Sequence, residues 1–111
     1  MNILEEAKKI IKTEAVAVED LSEQLDQSFV DVVKAIHESQ GKVVVTGVGK
    51  SGHVGEKMAA TLSSTGTPSF FLHSTEGLHG DLGMVEKKDI VILISNSGET
   101  KEVLSLLPSL N

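Results

Sequence analysis

Apolar residues recur at helical spacing through the first third of the chain, then give way to short unbroken runs. Ile3, Ala7, Ile10, Ile11 and Ala15 share one helical face, with Glu5, Glu6, Lys8, Lys9 and Lys12 on the other. Leu21, Leu25, Phe29, Val32 and Ile36 form a second stripe. It predicts a second helix from near Asp20 or Ser22, unless both stripes belong to one long bent helix. Asp20 and Glu23 have capping-box spacing, and Gly41 is expected to stop this helix in the left-handed conformation. From Lys42 the pattern changes. Lys42–Thr46, Ser69–Leu72 and Asp89–Ile94 are nearly continuous apolar runs, as in strands covered on both faces. Val54, Met58 and Leu62 predict a helix from about Gly52 to Ser64, ended by Gly66 and Pro68. Residues 73–84 read as loop with at most a helical turn. Val103, Leu104 and Leu107 open a last helix from Thr100, which Pro108 disturbs.

Two helices followed by β-α-β-loop-β-α imply an α/β fold, a parallel sheet with right-handed crossovers and flanking helices. Residues 1–41 form the helical segment and 42–111 the sheet-bearing part of one domain. With the first strand between the second and third, in flavodoxin-like order, a switch point opens between strands one and three. Ligands bind there, at the carboxyl ends of the strands.

Composition narrows the function. A net charge of -6 and only three aromatic residues, all Phe, argue against nucleic acid as a partner. Without cysteine there are no disulfides, thiolate zinc sites or thiol nucleophiles. Met1–Lys12 mixes charge into a helical pattern, so neither a signal peptide nor a membrane anchor is expected, and the default compartment is the cytoplasm.

Chemistry concentrates where strands hand over to helices. Gly47, Gly49 and Gly52 match G-x-G-x-x-G, but the acid a dinucleotide ribose needs is absent from the end of the second strand. A Walker loop fails because Val44 stands where glycine is required. A tight turn explains the glycines but leaves Lys50 and Ser51 unexplained. In the second loop Ser95, Asn96, Ser97, Gly98, Glu99 and Thr100 provide three hydroxyls and an amide. One helix cap would use a single hydroxyl. Together with backbone N–H groups they suit a phosphate. Glu99 at a helix start is accounted for by the dipole, or serves as a general base facing the crevice. His79 is a candidate for substrate contact or ring opening, and His53 and Glu76 could reach the same pocket. The separation of His73 and His79 fits no closed zinc pattern, so no metal is expected. His37 is incidental.

The run Val43-Val44-Val45-Thr46-Gly47-Val48-Gly49-Lys50-Ser51-Gly52-His53 resembles the first loop of sugar isomerase (SIS) domains of the KpsF/GutQ type. Lys57 to Pro68, His79-Gly80-Asp81-Leu82-Gly83-Met84 and Ile94 to Thr100 match in order and spacing. The resemblance implies a five-stranded parallel sheet, of which three strands are present here, in homodimers or homotetramers. It implies interconversion of D-arabinose 5-phosphate and D-ribulose 5-phosphate through an enediolate, without a cofactor, supplying the lipopolysaccharide sugar Kdo. Lys50 and Glu99 would be catalytic and His79 would line the pocket. Ser51, Ser95, Asn96, Ser97 and Thr100 would surround the phosphate, with Gly47, Gly49, Gly52 and Gly98 shaping the turns. The likeness stops after the third strand and its helix, so the chain is expected to be the N-terminal part of such a domain. A sugar-phosphate-binding module without catalysis is the alternative, and a nucleotide-binding module the weaker one.

Overall fold

The computed structural model describes residues 2–73 and 81–95. Two compact units divide the chain, Met1–Lys34 and Ala35–Asn111. In the first, helix α1 spans Ile3–Asp20 and a 3-10 turn follows over Leu21–Gln24. Asn2 caps α1: its Oδ1 accepts the Glu5 amide at 3.1 Å, and Glu5 and Glu6 complement the dipole in the first turn. Helix α2, Gln27–Glu38, crosses the boundary between the units.

Two local expectations change here. Asp20 does not cap α2, since its backbone is helical and its side chain makes no capping bond. The cap is Asp26, whose carboxylate accepts both the amide and the hydroxyl of Ser28. Those bonds, the hydroxyl's first, hold its pKa below the usual value. Gly41 does not adopt positive φ, which among the described residues belongs only to Gly49 and Gly66. Gly41 is instead a close approach, because a Cβ there would lie on the Asp89 carboxylate and the Lys88 carbonyl.

In the second unit β1 (Val43–Gly47), β2 (Ser69–Phe71) and β3 (Ile90–Ile94) form a parallel sheet in the order β2-β1-β3. The expected central position of β1 is thus observed. β1 is buried throughout. Val43 and Val45 pack with Ala59 of helix α3 (Lys50–Ser64), and Ile36, Leu62, Phe71, Ile92 and Ile94 close around them. Helix α3 starts two residues before the sequence pattern predicts, directly after Gly49, whose positive φ completes the turn out of β1. Its end is a Schellman arrangement: Gly66 has φ 104°, its amide donates to the Ser63 carbonyl at 3.3 Å, and the Thr67 amide donates to Leu62 at 2.8 Å.

The amino ends of β1 and β3 are tied by Asp89, which the sequence pattern assigned to the third strand without a role. Its side chain is fully buried. It accepts the Lys42 amide at 2.7 Å and the Glu86 amide at 2.8 Å, and Lys42 Nζ lies 3.5 Å away. The Glu86 and Lys42 amides are the main reasons its pKa lies below the usual carboxylate value, against the opposing effect of burial.

Candidate functional site

At the other end of β1 the chain turns through Gly47-Val48-Gly49 into α3. Gly49 stands just before the helix at φ 61°, ψ -129°, a conformation that an L side chain rarely adopts. No side chain caps this helix end. The Gly52 and His53 amides donate to Val48 and Gly49 carbonyls at 3.3 and 3.2 Å. Helix geometry leaves the amides of Lys50 and Ser51 without an intrahelical acceptor. Such amides, at the positive end of a helix dipole, suit an anion.

The turn is compact because its contacts are backbone on backbone. A Cβ on Gly47 would come within 2.9 Å of the Ile94 carbonyl oxygen and 3.1 Å of the Ser51 carbonyl. The first turn of α3, the end of β1 and the end of β3 therefore meet at one place. Register says the same: Gly47 is paired with Ile94, so the chain leaves β3 through Ser95 beside the Gly47–Ser51 turn. The Gly47–Ser51 turn and the first residue of the second loop, Ser95, thus lie together at the carboxyl end of the sheet, at the switch point between β1 and β3. Lys50 is exposed and Ser51 half-buried. Asn96, Ser97, Gly98, Glu99 and Thr100 lie outside the described residues, as do Glu76 and His79.

On the β2 side of the turn is a hollow of ≈ 150 Å³ lined by Gly47, Gly49, Gly52, His53, Glu56, Phe71 and His73. His53 is among the residues lining it. Glu56 and Phe71 were not singled out from the sequence. The available signal for Glu56 was its placement three residues after His53 on one helix face. His73 Nε2 lies 3.6 Å from Glu56 Oε1, and the His73 ring meets Phe71 edge to face at 4.7 Å between centroids. Among the described residues no three His, Cys, Asp or Glu side chains converge as metal ligands, and no helix is long and apolar enough to cross a membrane.

Comparisons with known proteins agree with this fold. Residues 36–111 match the family model described as SIS domain. The chain is 48% identical over 108 residues to arabinose 5-phosphate isomerase KdsD of Pseudomonas aeruginosa, a match covering 97% of this chain and 33% of that protein. It is 50% identical over 109 residues to arabinose 5-phosphate isomerase KpsF of Escherichia coli, again covering 97% of this chain and 33% of the relative. The chain thus spans about a third of the length of these curated relatives. Among solved structures, the Escherichia coli CFT073 protein c3406 in complex with arabinose 5-phosphate superposes with a TM-score of 0.88 at 53% identity, covering 99% of this chain and 60% of that one.

Proposed function

Because the chain belongs to the SIS domain family, we propose that the protein carrying it is an aldose–ketose isomerase of pentose phosphates, acting between D-arabinose 5-phosphate and D-ribulose 5-phosphate. The observation that carries this reading is the junction of the Gly47–Ser51 turn with the end of β3 at one edge of the sheet. A phosphate there meets the uncapped amides of α3 and the hydroxyl of Ser51, with Ser95, Asn96, Ser97 and Thr100 supplied by the second loop.

Isomerisation removes a proton from the carbon beside the carbonyl and returns it to the neighbouring carbon. Between the two transfers the substrate is an enediolate. The reaction needs a base and a group that stabilises negative charge on oxygen. In this reading Glu99 is the carboxylate that moves the proton, Lys50 steadies the oxyanion, and His79 assists ring opening. Both electrons and the proton stay within the sugar, so no redox cofactor takes part. The same reading includes a homodimer or homotetramer in the cytoplasm, making ketose into aldose for lipopolysaccharide Kdo.

A coupled assay of D-ribulose 5-phosphate turnover by the full-length protein tests this. Lys50→Ala and Glu99→Gln should each lower kcat by about 10²-fold or more, with folding intact. Full activity in both variants would remove the assignment of the site. Thermal stabilisation by the sugar phosphate without turnover would favour a binding module instead.

A further inference from the structure

The hollow between the Gly47–Gly49 turn and the end of β2 has no part in the phosphate grip just described. Its ≈ 150 Å³ corresponds to about five water molecules at ~30 Å³ each. That is room for a few carbons and their hydroxyls. Lys50 and Ser51 are not among the residues lining it.

The lining selects the occupant. Glu56 is a carboxylate at the rim, so a phosphate seated in the hollow would face a like charge. A carboxylate accepts several hydrogen bonds, and an imidazole offers one donor and one acceptor when neutral, or two donors when charged. Glu56, His73 and His53 together match hydroxyl groups, each of which both donates and accepts. The Phe71 ring supplies an apolar wall for C–H groups, and the backbone of Gly47, Gly49 and Gly52 lets a ligand approach closely. Read as a surface ion pair, Glu56–His73 would add little to stability, since both side chains are about half exposed. That reading accounts for the 3.6 Å contact but not for the concave, mixed polar and aromatic wall around it.

Resting on the phosphosugar reading above, we infer that this hollow is the specificity subsite for the hydroxyl-bearing carbons between the phosphate and the reacting C1–C2 end of the sugar, read by Glu56 and His73. The phosphate is held on the β3 side of the same turn. The substrate therefore lies across Gly47–Gly49, with its anionic end over the start of α3, its middle hydroxyls toward β2, and C1–C2 left to the reacting groups.

Calorimetric titration of the full-length protein with D-arabinose 5-phosphate, glycerol 3-phosphate and inorganic phosphate tests the assignment. Glu56→Ala should weaken D-arabinose 5-phosphate by about tenfold, the loss of one hydrogen bond to a charged group. Inorganic phosphate should stay within about twofold, because its grip is untouched. His73→Asn should act in the same direction by a smaller factor. Discrimination between D-ribulose 5-phosphate and its C3 epimer D-xylulose 5-phosphate should narrow in both variants, a readout that a purely structural role would not move. Equal weakening of the pentose phosphate and of inorganic phosphate, or no change in either, overturns the subsite. If the wild-type protein binds none of the three phosphates, the phosphosugar reading falls, and the subsite falls with it.

Discussion

The two ends of β1 solve the same packing problem in opposite ways. At the amino end polar contacts converge on one buried carboxylate, and Asp89 ties Lys42 and Glu86 amides into a closed knot. At the carboxyl end the close approach comes from missing side chains: Gly47 against Ile94, Gly52 against Gly47, Gly55 against Phe71 and Val45. The first arrangement consumes its polar groups in holding the fold. The second holds the fold with backbone and leaves the side chains of Lys50, Ser51, His53 and Glu56 at the rim. The proposed site uses the end where the architecture does not need the side chains.

Breaking the glycine end should cost most. Gly55→Val would place Cβ 2.9 Å from Phe71 Cε1 and 3.1 Å from Val45 Cγ1. Overpacking of that kind should destabilise by about 3 kcal/mol, read as a lower denaturant midpoint. An unchanged midpoint would mean that α3 does not seat on β1 as described.

The Asp89 end comes next. Asp89→Ala strands two amides and should cost roughly 2–3 kcal/mol. The rim stays in place, so kcat should remain near wild type once the protein is folded. The pH dependence sharpens the contrast. The folded-state pKa of Asp89 lies below its ordinary value of 3.8. Its stabilisation is therefore complete above that value and is lost as pH falls through the lower folded-state one. The stability gap between wild type and Asp89→Ala should close in acid; a gap that stays constant with pH contradicts the knot.

Gly49→Ala tests a different cost. A Cβ there meets nothing within 4 Å, yet φ is +61°. The loss should be conformational alone, about 1.5 kcal/mol, and a destabilisation near zero would show that the turn relaxes freely. The smallest effect is a gain. Thr46 is fully buried, and among the described residues its hydroxyl has no hydrogen-bond partner. Thr46→Val should raise stability by about 1 kcal/mol. A loss of similar size would reveal a partner for the hydroxyl.

The strand cores and their order were legible because continuous β-branched runs have few other homes than a covered parallel sheet. The turn at Gly47–Ser51 was legible because closely spaced glycines between an apolar run and a helical pattern mark a tight strand-to-helix junction. The Asp89 knot was not legible. Asp89 precedes a strand like any turn residue, and nothing local says that its carboxylate folds back on Lys42. The α2 cap was displaced for a similar reason, since Asp20 and Asp26 both have cap chemistry and only the backbone path chooses between them. The stripe of α1 and the later part of the second one, Phe29, Val32 and Ile36, are helical, whereas Leu21 falls in the 3-10 turn and Leu25 is extended; yet Ile3 is 80% exposed and Phe29 52% exposed in this chain. Periodicity reports which face could be buried, and it carries no information about what would bury it.

By itself, the order of residues determined most of the described helical and extended segments, the parallel arrangement and the glycine turn between β1 and α3. These follow from local periodicity and from glycine's backbone freedom, which act over a few residues. Tertiary structure alone decided that Glu56 and Phe71 meet His73 beside a hollow, that Gly41 is a close approach to Asp89 and Lys88 rather than a helix stop, and that Gly47 abuts the end of β3. Those relations join residues far apart in sequence, and the spacing between them is set only when α3 settles onto the sheet.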